Sequence, residues 1–336
     1  MKNIEKLCSY CQLGQMIGEP RAVSGGLMHR MYRVSTDKGV YAIKQLNPDI
    51  MKRPEALRNM VNSEKVSNAL KHVVPLVAAK EMNGSHVIRM DGRFYEIFDW
   101  LEGCSVFALD ITVHHCRQMG QLLGRIHAAD VRVDGMERND GTRSVFDWPM
   151  LFEKAQQCYP ECFALLRECA ADIMRWDEQT VCGLKENRYD QVISHCDLDP
   201  KNVMWQDGAA YIIDWEAAGY VNPCQELIEM LNYWISDAEG AYDREKFAAL
   251  IDAYAENMDL SHINWDAVLA CSFNGMLGWL EYNVKRALGL EGSDERDRQE
   301  GLKQTGQTIR ELKAYEAQTE MLKTWIQEFV SAKYGN

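Results

Sequence analysis

Apolar and polar residues alternate through Val40-Tyr41-Ala42-Ile43-Lys44-Gln45-Leu46, the period-two pattern of a strand with one buried face. Further strands are predicted over residues 15–17, 31–34 and 92–103, the last running into a connector that ends at Gly103. Residues 203–205 and 210–213 read as two short strands joined at Gln206-Asp207-Gly208, because an Asp-Gly pair breaks the apolar runs as a hairpin turn does. Elsewhere the spacing is helical. Residues 55–70 carry Leu57, Val61 and Ala69 among polar positions, with Pro54 ahead of the first turn. Residues 114–129 place Met119, Leu122, Leu123 and Ile126 on related faces. Helices are also expected over 152–157, 161–176, 223–236, 243–255, 265–288 and 297–332, and a short one around Cys8 and Cys11. Strands therefore dominate the first third and helices the remainder, an α+β arrangement.

Composition changes this picture little. With 336 residues the chain exceeds the usual single core, so two domains are expected. An apolar content of 46% and a charged content of 26% are those of an ordinary globular protein and exclude disordered and fibrous classes. No apolar run has membrane-spanning length and the first residues lack the apolar stretch of a signal peptide, so a cytoplasmic location is expected. Eleven cysteines are an odd number in a chain large enough to do without disulfides. Cys8 and Cys11 have no second pair at metal-ligand spacing and read as small buried hydrophobes. The net charge of −13 (37 basic minus 50 acidic residues) disfavours nucleic acid and anionic membrane as partners. It is compatible with a cationic small-molecule acceptor, and equally with solubility alone.

The chemistry is concentrated in Ser194-His195-Cys196-Asp197-Leu198-Asp199-Pro200-Lys201-Asn202 and in Ile212-Ile213-Asp214-Trp215. Phosphoryl transfer needs an acceptor hydroxyl held in line and phosphate charge neutralised by metal. Asp197, on a loop, suits the acceptor's proton. Asn202 and Asp214 offer a neutral and an anionic oxygen, ligands suited to Mg2+, and the predicted hairpin returns them to the same end. Further upstream, Ser24, Gly25 and Gly26 lie between candidate strands, as a phosphate-covering loop or as a plain hairpin turn. Lys44 lies on the alternating strand, where a surface position is the ordinary place of a lysine.

The order and spacing of these residues resemble a kinase catalytic loop and metal-binding strand. The protein kinase pattern continues past its metal Asp with Phe-Gly, whereas this chain has Trp215-Glu216, and Pro223 follows too soon for an activation segment. The segment is more similar to the aminoglycoside phosphotransferase and choline kinase-like family, with its H-G-D-x-x-x-x-N loop and I-D-[FW]-[DE] strand. Cys196 replaces the usual Gly. Asp199 stands where many members carry His or Ser and protein kinases carry Lys, so no cation from that position reaches the transferring phosphate.

The resemblance implies a bilobal protein kinase-like fold. Its N-lobe, residues 1–99, would be a nucleotide-covering sheet and helix, and its mainly helical C-lobe, residues 100–336, would hold the catalytic loop, metal site and acceptor pocket. It implies ATP, with GTP as an alternative, and Mg2+ as cofactors. Lys44 would contact the α- and β-phosphates with Glu64 as its ion-pair partner. Phe98 and Trp100 would neighbour the nucleotide or pack within an edge strand, and His195 would orient the loop. For an amine-bearing acceptor, Glu216, Trp234, Glu281 and Tyr282, with Trp279, offer carboxylates and aromatic faces; the alternatives are a hydrogen bond that fixes the loop for Glu216 and core packing for the helix residues. The expected activity is transfer of the γ-phosphate to an acceptor hydroxyl, aminoglycoside-like by family. Choline, sugar and homoserine kinases, and a nucleotide-binding pseudokinase, are the alternatives.

Overall fold

The computed structural model describes residues 2–23, 29–107, 109–138, 140, 142–237, 240–292 and 294–335. Ser24, Gly25 and Gly26, expected to cover phosphate, lie outside the described residues. Contacts between Cα atoms divide the chain into two compact units, Met1–Glu137 with Val192–Gly219, and Arg138–Gln191 with Tyr220–Asn336. The lobe boundary after residue 99 is a different division, into a nucleotide-covering and an acceptor-binding part, and remains our proposal.

The first unit opens with helix α1 (Lys2–Tyr10) and strands β1 (Arg21–Val23), β2 (Arg30–Thr36) and β3 (Gly39–Gln45). Helix α2 (Ala56–Leu70), strands β4 (Ile88–Met90) and β5 (Arg93–Asp99) and helix α3 (Val113–Ala128) follow. The five strands form one antiparallel sheet in the order β1-β2-β3-β5-β4. Alternation decides its two faces. Val34, Tyr41, Ile43, Tyr95 and Ile97 are buried in one cluster with Ile4, Leu7 and Cys8 of α1, the aliphatic side chains each stabilising the fold by about 1.5–3 kcal/mol. The intervening residues Ala42, Lys44, Glu96 and Phe98 therefore face the other side.

Residues 15–17 do not form the expected strand. Met16 makes one isolated bridge to Thr36, while Gln15 N–H turns to Asp37 Oδ1 at 2.7 Å. Pro20, which lacks an N–H, ends this approach, and the continuous ladder with β2 is made by β1.

The second passage of the first unit carries β6 (Val192–Ser194), β7 (Val203–Gln206) and β8 (Ala209–Ile212). The β7–β8 hairpin turns at Asp207 and Gly208, with φ of 52° and 79°, the left-handed pair that matches strand twist. Leu76 and Cys104 bridge to Ile212 and Trp205, tying this hairpin to the chain that follows α2 and β5. Gly103 is required there, because a Cβ would meet the Trp205 carbonyl oxygen at 2.8 Å.

The second unit is helical. It comprises α4 (Trp148–Cys158), α5 (Pro160–Arg167), α6 (Ala170–Asn187), α7 (Pro223–Trp234), α8 (Arg244–Tyr254), α9 (Trp265–Cys271), α10 (Asn274–Ala287) and α11 (Glu295–Tyr334). Trp148, Trp176, Trp234 and Tyr254 are wholly buried in it. The continuous helices expected over 161–176 and 265–288 are each two. Cys169 leaves helical geometry with φ −132° and ψ 16°, and Phe273, between α9 and α10, stacks its ring on Trp176 with centroids 5.7 Å apart. Both breaks sit where tertiary packing overrides an unbroken apolar period. No helix among the described residues is long and apolar enough to cross a membrane.

Candidate active site

The loop after β6 is built by its own hydrogen bonds. His195 is fully buried and lies edge-on to Trp215, with ring centroids 4.7 Å apart. Its Nδ1 accepts from Asp197 N–H at 3.2 Å, so the ring proton sits on Nε2 and is donated to the Ile213 carbonyl at 3.0 Å. One imidazole thus couples the loop backbone to the residue before Asp214. Cys196, where the family pattern has Gly, adopts a left-handed φ of 61°.

Asn202 closes the loop. Its amide nitrogen donates to the Asp197 carbonyl and to Asp197 Oδ2, both at 2.8 Å, and its backbone carbonyl accepts from Ile213 N–H at 2.9 Å. With its nitrogen committed to Asp197, Asn202 retains the carbonyl Oδ1 as a ligand oxygen. Burial pushes the Asp197 carboxyl above the usual range, while Lys201 and His195 oppose that rise. A base of raised pKa takes up a hydroxyl proton more readily.

The β8 strand delivers Asp214 in a left-handed conformation, φ 60° and ψ 66°, which a short polar side chain tolerates. A turn of 3-10 helix, Trp215–Ala217, follows; Trp215 anchors it in the core and Ser63 Oγ of α2 donates to the Glu216 carbonyl at 3.3 Å. This turn brings Asp214 and Glu216 to Lys44. The Lys44 ammonium donates to Asp214 Oδ1 at 2.7 Å and to Glu216 Oε2 at 2.9 Å. Burial alone would depress the Lys44 pKa, but the charges of Asp214, Glu216 and Glu96 raise it.

The direct partners of Lys44 are therefore Asp214 and Glu216, in place of the expected Glu64. Glu64 Oε2 accepts instead from Ala79 N–H at 2.8 Å and Ser67 Oγ at 3.0 Å. The α2 carboxylate is spoken for locally, and Lys44 reaches it only through its charge. Burial raises the Glu64 pKa, against those hydrogen bonds and that charge.

Two members of this cluster escaped sequence reasoning. Glu96, across from Lys44 in the β3–β5 register, is 2% exposed, and its Oε1 has no hydrogen-bond partner among the described residues. Burial pushes its pKa up to about 8, with Lys44 opposing and Glu64, Glu216 and Asp214 reinforcing the rise. The β3–β5 pairing register was the missing signal. His29, just before β2, accepts from Asn47 N–H through Nδ1 at 3.0 Å and so donates Nε2–H to Glu216 Oε2, also at 3.0 Å. Despite the desolvation that would raise it, Glu216 is lowered to about 2 by the His29 hydrogen bond and by Lys44.

Phe98 is half-buried on the Lys44 face, opposite Ala42. Trp100 donates its backbone N–H to Val40 at 3.0 Å, and the Arg33 guanidinium lies 5.1 Å from its ring centroid. The buried Trp100 indole N–H has no partner among the described residues.

The remaining acceptor candidates lie in the helical unit. Trp234 is wholly buried, so the expected aromatic face for a ligand is a core side chain instead. Glu281 is ion-paired with Lys285 one helical turn on, and Tyr282 packs beside Trp279 with ring centroids 5.7 Å apart. Glu216 belongs to the Lys44 cluster described above.

The donor set at the loop fits a hard cation. Asp214 supplies a carboxylate, with Oδ1 on Lys44, and Asn202 an amide oxygen, the oxygen ligands that Mg2+ takes. No cluster of three or more His, Cys, Asp or Glu side chains among the described residues forms a ready-made cage. Mg2+ is accordingly suited to such a site, since it completes its shell with phosphate oxygens and water.

These features can be set beside known proteins. A homoserine kinase from Methylobacterium sp. (strain 4-46) is 31% identical over 176 residues, 51% of either chain. One from Brucella anthropi is 28% identical over 191 residues, 55% of either chain. The chain thus spans about half the length of the curated relatives it matches. Among solved structures, a spectinomycin phosphotransferase in complex with ADP and spectinomycin matches with a TM-score of 0.70 at 12% identity, covering 94% of this chain and 98% of that one. Choline kinase from Cryptosporidium parvum Iowa II matches with a TM-score of 0.56 at 15% identity, covering 97% and 99%. These likenesses establish the kinase-like α+β fold. The model of the phosphotransferase enzyme family matches residues 19–260, from before β1 to beyond α8, and the chain belongs to that family.

Proposed function

We propose that this protein is an ATP-dependent small-molecule kinase that transfers the γ-phosphoryl group to a hydroxyl of an amine-bearing acceptor. The observation that carries the reading is the junction of two pairs: Asn202 holds Asp197 by its side-chain amide, and Lys44 holds Asp214, with Asn202 and Ile213 joined through the backbone. In the proposed reaction the acceptor oxygen bonds to phosphorus, the bond to the ADP oxygen breaks, and Asp197 takes the acceptor's proton. Asn202 and Asp214 would hold Mg2+, which when bound neutralises phosphate charge. Lys44 is assigned to the nucleotide phosphates, Glu216 and His29 fix its position, and His195 orients the loop. Phe98 and Trp100 are assigned to the base, for which ATP is the first choice and GTP the alternative. The site acts in a cytoplasmic protein on a small molecule.

The likeness to homoserine kinases supports an amino alcohol such as homoserine as the first acceptor to test, followed by choline, aminoglycosides and sugars. A screen of ADP release across that panel with Mg2+ should find one acceptor that accelerates turnover. Asp197→Ala should abolish it while nucleotide binding persists. Undiminished turnover in that variant would overturn the assignment, and nucleotide binding without turnover across the panel would make the protein a pseudokinase.

A further inference from the structure

Phosphoryl transfer develops charge on the acceptor side as well as on the nucleotide side, and fixed cations there lower the barrier. Position 199 is anionic and cannot supply one. The structure places a cation beside the base from another position: Lys201 Nζ lies 3.5 Å from Asp197 Oδ2 and 3.2 Å from Asp199 Oδ2. Asp199 holds this lysine twice. Its Oδ1 accepts from Lys201 N–H at 2.9 Å, capping the short 3-10 helix Pro200–Asn202, while its Oδ2 takes the ammonium. Lys201 and Asp197 side chains are 51% and 37% exposed, so a substrate can reach both.

We propose that Lys201 is a catalytic cation that touches the transferring phosphoryl group on its acceptor side, with Asp199 as the positioning residue that tethers it. This rests on the kinase reading above. The acceptor oxygen forms its bond to phosphorus, the bond from phosphorus to ADP breaks with its electron pair on ADP, and the acceptor's proton passes to Asp197. Lys201 keeps all its protons throughout. The anion at position 199, which at first sight removes a cation from the site, is then the group that aims one into it.

The competing view is a half-exposed ion pair, worth about 0–1 kcal/mol to the fold and nothing to catalysis. Lys201→Gln, Lys201→Arg, Asp199→Asn and Asp197→Ala separate the two. Steady-state rates are measured with MgATP and homoserine, and ADP release with MgATP alone provides a second assay in which water is the acceptor. We expect Lys201→Gln to lower kcat by about 10²-fold with KM for ATP within about twofold, Lys201→Arg to recover most of the loss, and Asp199→Asn to fall between. Unchanged kcat in Lys201→Gln alongside an inactive Asp197→Ala overturns the role of Lys201 alone. A loss confined to KM for ATP also overturns it, since that is nucleotide binding. Full turnover in Asp197→Ala instead overturns the kinase reading of the loop.

Discussion

Lys44 and Glu96 stand directly opposite each other on β3 and β5, their side chains on the same face of the sheet, yet the ammonium turns to Asp214 and Glu216. Glu96 is left as a buried carboxyl in a field of three other acids.

This arrangement predicts a pH dependence of stability. Glu96 has a folded-state pKa of about 8 against an ordinary 4.5, so the folded protein binds this proton more tightly than the unfolded chain does. Its contribution is complete below the unfolded value and is lost as pH rises through the folded one. Glu96→Gln removes the titration. The variant should gain stability over the parent at about pH 9 by about 1 kcal/mol or more, and little at about pH 5. Denaturant unfolding at both values tests this, and identical differences at the two would refute it.

His29 joins the start of β2 to Glu216 with both ring nitrogens in use. Replacing it with Ala removes one of the two side chains described on the Glu216 carboxylate, and should raise KM for ATP by about 10-fold, with a smaller change in kcat. His29→Gln offers an amide oxygen to Asn47 and an N–H to Glu216, and should restore much of the affinity. Equal effects of the two substitutions would show that the ring acts by its volume.

Cys196 sits at φ 61° with its sulfur 3.5 Å from the Gly219 carbonyl. Gly adopts this backbone freely, so Cys196→Gly should remain folded and active, with a stability change within about 1 kcal/mol. A β-branched residue does not, and Cys196→Val should cost about 1–3 kcal/mol. Thermal unfolding of the pair checks the contrast; equal midpoints would contradict it.

Much of the site is local in sequence and was legible for that reason. The turn at Asp207 and Gly208 is specified by its own residues, and it carries Asp214 back toward Asn202. Lys44 could be recognised because its strand alternates. The partners of Lys44 could not. Glu64 has the right residue type on the right helix, but Ala79 N–H and Ser67 compete for it, and neither competitor carries a pattern. Glu96 and His29 are separated from Asp214 by more than a hundred residues, and only strand pairing and the path of the chain bring them into one cluster. Trp234 shows the opposite failure, since its ring serves the core equally well as any ligand and burial alone settles which.

The strand-rich and helical parts, the loop that presents Asp197 and the hairpin that returns Asp214 toward Asn202 are written in the residues themselves, because propensity, turn chemistry and spacing act over a few residues. Which carboxylates hold Lys44 and which imidazole holds Glu216 follow from the packing of distant segments. Charge interactions depend on distance in space and on burial, and neither quantity is written along the chain.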